Sequence, residues 1–130
     1  MLLTQQKNNM NKITQDNVVQ ELLSRVSELK SYHQFDESEL SQPTIVFDYF
    51  GDFLLERIKS QTTTDSVIKK SFEFINEMQD SEDPNIRNLP QIGVFEALAG
   101  SKKGIEVAEK YLNKNGMEWL NKIKQKFYPL

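Results

Sequence analysis

The chain has no cysteine and a single histidine, His33, among its 130 residues. The first absence excludes disulfides, thiol nucleophiles and every cysteine-based metal site, and it fits a reducing compartment. The second removes ordinary zinc chemistry, which draws several ligands from Cys and His. A lone His near a helix end reads as a surface residue that satisfies the helix dipole. Long apolar runs are also missing, since the richest stretch, residues 45–58, is too short to span a bilayer. The opening MLLTQQKNN brings Gln and Lys directly after two leucines, so it lacks the apolar core of a signal peptide. The expectation is an unprocessed, soluble, cytoplasmic protein that does not associate with membranes. Period-two alternation is absent as well, and no Asn-Gly hairpin separates two apolar runs, which leaves no strand.

What is present is helical periodicity. In residues 45–58, IVFDYFGDFLLERI, nine of fourteen side chains are Ile, Val, Leu, Phe or Tyr. At 100° per residue they cover more than half of a helix, leaving a narrow polar stripe of Asp48, Asp52, Glu56 and Lys59, with Arg57 on the apolar side. This is the expected central helix, started by Ser41 and Pro43 and ending near Ser60. Before it, Val18, Val19, Leu22, Leu23, Val26, Leu29 and Tyr32 predict one helix, capped by Thr14 or Asp16 and running to His33. A polar connector, QFDESELSQ, follows. After the central helix, Thr63 or Thr64 is the expected cap of a helix carrying Val67, Ile68, Phe72, Phe74, Ile75 and Met78 and stopping at Asp80. Asp83 and Pro84 then cap and start another, in which Pro90 predicts a kink or short break at a cost of about 3 kcal/mol. Gly100 and Gly104 punctuate the next connection. A short helix with Ile105, Ala108, Tyr111 and Leu112 leads to a last one after Asn115-Gly116, with Met117, Trp119, Leu120, Ile123 and Phe127 in its stripe. The fold class is therefore all-α, about six helices in a compact orthogonal bundle or a short helical-repeat-like stack. Residues 1–13 are expected to be a disordered or loosely attached tail and residues 14–130 a single domain. Gly51 and Gly93 each cost a helix about 1 kcal/mol relative to Ala, so at least one is expected to mark a close crossing of the second and fourth helices.

Net charge is only −3, but the charges are segregated. Residues 36–99 hold 13 acids and 5 bases, whereas residues 100–130 hold 7 Lys and 3 Glu. Such separation can steer a charged partner. Asp48, Asp52 and Glu56 form one acidic stripe, Glu73, Glu77 and Asp80 a second on the following helix, and Glu82 and Asp83 extend it around the corner. These eight are the candidate partner-binding residues. Asp48 with Asp52 and Glu73 with Glu77 could alternatively hold Mg²⁺ at i, i+4 spacing. They faintly resemble the all-helical nucleotide pyrophosphohydrolases, whose denser Glu-Glu-x-x-Glu arrangement this chain lacks. Gly100-Ser101-Lys102-Lys103-Gly104 has no Gly-Lys-Ser/Thr ending and follows a helix, so it is not a phosphate loop. Lys122, Lys124 and Lys126 fan around their helix in an acidic chain, which argues against nucleic-acid binding. No catalytic residue, cofactor or metal ligand is assigned.

Residues 71–98 carry Phe74-Ile75-Asn76-Glu77-Met78, an acidic corner, then Asn88, Leu89, Gly93, Glu96 and Leu98. Together with Pro43 leading into Val46-Phe47, Gly51-Asp52-Phe53 and Lys110-Tyr111-Leu112, this pattern resembles a family of small all-helical bacterial proteins of uncharacterised function. Proteins of this style resemble immunity proteins of bacterial toxin systems, including contact-dependent growth inhibition. The resemblance implies an inhibitor, not an enzyme, whose partner is a cognate toxin domain, expected to be a nuclease with a basic surface. A stand-alone scaffold or regulatory protein-binding module is the main alternative, with the Mg²⁺-dependent hydrolase behind it.

Overall fold

Apolar residues spaced three and four apart become helices, and only helices, in the computed structural model, which describes residues 12–60 and 65–127. In chain order they are α1 (Val18–Arg25), α2 (Glu28–Tyr32), α3 (Glu37–Leu40), α4 (Pro43–Ser60), α5 (Ser66–Gln79), α6 (Pro84–Ala99), α7 (Lys102–Tyr111) and α8 (Lys114–Phe127). The all-helical class is as expected, with eight helices where about six were read. No helix among the described residues is long and apolar enough to cross a membrane.

Both extra helices come from the N-terminal third. The single helix expected up to His33 breaks at Val26 and Ser27: Val26 leaves helical geometry at φ −121°, ψ 68°, while its N–H still donates to the Leu22 carbonyl. The apolar stripe continues across the break, burying Leu22, Val26 and Leu29 alike, so periodicity alone could not reveal it. Neither Thr14 nor Asp16 caps α1. Its first turn is preceded by a turn in which the Asn17 carboxamide accepts from the Thr14 N–H. The polar connector contains α3, a one-turn helix closed by a capping box in which Asp36 accepts from the Glu39 N–H and Glu39 from the Asp36 N–H. Ile13, at the end of the expected tail, is buried in the core. Residues 1–11 of that tail lie outside the described residues, as do Thr63, Thr64 and the side chain of Phe127.

Helix α4 begins at Pro43 and ends at Ser60, and buries Val46, Phe47, Phe50, Phe53, Leu54 and Ile58 while Asp48, Asp52, Glu56 and Lys59 stay exposed. Around it, Phe72 and Phe74 of α5 and Phe95 of α6 complete a core of fully buried aromatic rings. Burying each such ring contributes about 1.5–3 kcal/mol. The cap of α5 is Asp65, whose carboxylate accepts from the N–H groups of Val67 and Ile68. Asp83 and Pro84 start α6 as expected, with the Asn85 N–H donating to Asp83. Pro90 does not break α6, which runs uninterrupted to Ala99. Pro90 and its neighbours Ile86 and Val94 are buried, and that burial outweighs the lost hydrogen bond to the Ile86 carbonyl. Gly104 lies inside the first turn of α7 and not in the connection, and a Cβ there would sit 2.7 Å from the Leu98 carbonyl oxygen.

Helices α4 and α6 meet backbone to backbone at two glycines. A Cβ on Gly93 would lie 2.8 Å from the Phe47 carbonyl carbon and 3.1 Å from the Asp48 nitrogen. A Cβ on Gly51 would collide with the Gly93 carbonyl oxygen and come within 3.1 Å of the Val94 Cα. Every clashing atom is backbone, so no rotamer change relieves it, and the expected crossing is made by both glycines. Overpacking of this kind costs about 1–3 kcal/mol or more. Urea unfolding should therefore show Gly51→Ala and Gly93→Ala losing at least that much, whereas Gly100→Ala, whose nearest neighbour lies at 3.7 Å, should stay near wild type. Equal stability of all three variants would contradict the backbone contact.

Candidate partner-binding surface

Positions 48, 52 and 56 fall a helical turn apart on the one wet side of α4, and all three carboxylates are exposed with no ion pair or side-chain hydrogen bond to any described residue. Like charges at i, i+4 destabilise a helix by about 0.2–0.5 kcal/mol per pair. Burial, and then the charges of Glu56 and Asp52, push the Tyr32 hydroxyl above the ordinary phenol range, which places these carboxylates beside α2. On the other flank lies the Gly51–Gly93 contact. Beyond it α6 presents Ile92, at 58 % the most exposed of the large apolar side chains among the described residues, and the exposed Glu96.

The remaining candidates divide. Glu73 and Glu82 are exposed and make no ion pair with a described residue. Glu77 accepts a 2.8 Å hydrogen bond from Arg25 Nη1, and the same guanidinium holds Glu21 and lies 5.2 Å from the Phe74 ring centre. Glu77 thus ties α5 to α1. Asp80 accepts from the side-chain amides of Asn113 and Asn115 at 3.1 and 3.0 Å, which docks the corner between α7 and α8. Asp83 serves as the α6 cap and also accepts from Gln15. The Gln15 amide, followed by the Asn85 N–H, lowers the Asp83 carboxyl below its ordinary value.

Other residues singled out by the sequence have structural partners. Arg57, on the apolar side of α4, pairs with the α5 cap Asp65 at 3.4 Å. Burial alone would raise the Asp65 carboxyl, but the Val67 and Ile68 N–H groups and Arg57 bring it below the usual carboxylate range. His33 stacks on Tyr49 with ring centres 3.8 Å apart and meets both Glu39 oxygens through Nε2, so it joins α2, α3 and α4. Lys124 pairs with Glu109, and the Lys122 ammonium lies 4.6 Å from the Trp119 ring centre. No group of three or more His, Asp or Glu is placed to hold a metal ion among the described residues. Asp48, Asp52, Glu73 and Glu77 accordingly do not converge there.

Sequence reasoning missed a polar cleft between the corner after α5 and helix α8. It has a volume of about 330 Å³, and its walls include Asp80, Arg87, Glu118 and Trp119. These residues lie on three separate segments, and the helical spacing that put Trp119 in the apolar stripe of α8 gave no sign that it would be 38 % exposed at a cleft. A larger cavity of about 660 Å³ lies over Val19, Leu23 and Leu40.

An all-helical domain with an exposed carboxylate stripe on its central helix is the class this arrangement defines. Residues 19–128 match the family described as a domain of unknown function, DUF7674, and the chain belongs to that family. No curated protein and no solved structure matches the chain.

The depressed Asp65 and Asp83 carboxyls give the fold a pH dependence. A group whose folded pKa is lowered contributes stability above its unfolded value of about 3.9 and loses it as pH falls through the lower folded value. The thermal midpoint of the wild type should fall as pH drops from about 4 towards 2. In Asp65→Asn/Asp83→Asn, which keeps capping side chains but does not titrate, that fall should be shallower. Parallel curves would refute the assignment.

Proposed function

We propose that this protein is an immunity protein that binds and neutralises a cognate bacterial toxin domain, in a system of the contact-dependent growth inhibition type, by covering a basic surface of the toxin. The observation that carries this reading is the exposed α4 stripe of Asp48, Asp52 and Glu56, three like charges with no cation bound to them among the described residues. An inhibitor of a basic nuclease can set carboxylates where nucleic-acid phosphates would otherwise sit. Long-range attraction then accelerates encounter, and the effect fades with added salt. The protein itself needs shape and charge and no catalytic group. It would act in the cytoplasm, where such a toxin meets its substrate.

The test is co-expression with the toxin encoded beside the gene, followed by association kinetics at two salt concentrations. Asp48→Lys/Asp52→Lys/Glu56→Lys alters only exposed side chains and should leave the helical signal unchanged, while association slows at least tenfold at low salt and protection is lost. A variant that still protects, with an unchanged and salt-insensitive on-rate, would make the stripe a solvated face. The scaffold alternative predicts no protection even by the wild type. The hydrolase alternative predicts that millimolar Mg²⁺ raises the thermal midpoint, since a ligand bound by the folded state alone stabilises it; the inhibitor reading predicts no shift.

A further inference from the structure

The cleft between the corner after α5 and helix α8 is built from the interior outwards. Gln79, 2 % exposed, forms its floor; its side-chain amide donates to the Arg87 carbonyl and its carbonyl oxygen accepts from the Gln91 amide. Arg87 Nη1 donates to the Ser81 carbonyl at 2.7 Å, which fixes the guanidinium at one wall and leaves its other N–H groups without a described partner. On the opposite side Asp80 is oriented by two amide donors on one oxygen, Oδ1, with Oδ2 unengaged. Glu118 adds an exposed carboxylate that pairs with no described residue. Trp119 supplies the apolar wall. Lys122 Nζ lies 4.6 Å from the indole centre, and Lys122 does not line the cleft.

We propose that this cleft is a receptor for an arginine side chain presented by a protein partner. A planar guanidinium can lie flat on the Trp119 indole while its N–H groups reach Asp80 Oδ2 and Glu118, combining cation–π attraction with charge-assisted hydrogen bonds. Selectivity comes from the ligand's shape. The planar fork of a guanidinium can stack on the ring while donating to two separate carboxylates, which a point-charge ammonium cannot do. The unengaged N–H groups of Arg87 can bind the backbone carbonyl oxygen that a peptide brings. The volume of about 330 Å³ accommodates one long side chain and not a folded loop. The identification of that partner with a basic toxin rests on the inhibitor reading above; the chemistry of the cleft does not.

Trp119 is the sole tryptophan of the chain, so its fluorescence reports the cleft directly. N-acetyl-arginine amide, titrated at constant ionic strength, should give a saturable change with half-saturation in the millimolar range. N-acetyl-norvaline amide should give none, and N-acetyl-lysine amide a response at least threefold weaker. Glu118→Gln, at an exposed position, should raise half-saturation at least fivefold without altering the thermal midpoint. A linear, non-saturating response, or one identical in wild type and Glu118→Gln, would overturn the proposal. The two readings fail separately. Protection from toxin with a silent Trp119 removes the receptor and keeps the inhibitor, whereas a saturable Trp119 response without protection does the reverse.

Discussion

The contact on which the rest of the fold depends is backbone against backbone, where α4 and α6 touch at Gly51 and Gly93. Helices that carry side chains at their crossing stay about 8–10 Å apart; two facing glycines remove that spacer. Phe47 and Val94 then sit beside the junction instead of across it, and Phe50, Phe95 and Leu54 fill the inner side. The same approach fixes the outer side. Asp48, whose nitrogen is part of the contact, and Ile92, next in sequence to Gly93, flank the junction, so the surface proposed to meet a partner is set by this backbone contact. A second small residue repeats the device, since Gly104 lets α7 close against the Leu98 backbone and the Leu55 side chain.

Around this apolar centre, the corners are held by amides. Asn76 donates to the Tyr111 carbonyl and accepts from the Asn113 N–H, so one side chain satisfies two backbone groups left open where α7 ends. Between α5 and α6, Gln79 donates to the Arg87 carbonyl and accepts from the Gln91 side-chain amide. Buried polar groups left without partners cost about 1–3 kcal/mol each, and a satisfied network penalises any other register of these helices. The acidic residues are sorted by this logic as well. Those near an amide or a guanidinium became joints, as Glu77 and Asp80 did, and those on α4 stayed in water.

Much of this was legible in the sequence. Residues 45–58 announced a helix with one narrow wet stripe, and the polar positions named for that stripe, Asp48, Asp52, Glu56 and Lys59, are all exposed. Two glycines inside apolar helices announced a crossing, because nothing else offsets their helix penalty. What periodicity could not show was where a helix stops without losing its stripe, as at Val26, or that Pro90 would be carried through by the burial of its neighbours. Charge spacing likewise put Glu73, Glu77 and Asp80 in one row, but only tertiary structure reveals that Arg25, Asn113 and Asn115 reach into it. The cleft at Trp119 was invisible for the same reason: Asp80, Arg87 and Glu118 have no sequence spacing that relates them.

One consequence of the corner between α7 and α8 concerns chemical ageing. Asn115-Gly116 is the kind of dipeptide in which the following backbone nitrogen attacks the Asn carboxamide to form a succinimide, and then isoaspartate, when the chain is free to bend. Here that nitrogen donates its hydrogen to Asn113 Oδ1 at 2.9 Å, while the Asn115 amide is tied to Asp80 at 3.0 Å. Helical backbone holds the two groups apart in addition. The bonds that dock α8 therefore also protect its covalent structure, and isoaspartate at position 115 would serve as a clock for how long a molecule has spent with that corner open.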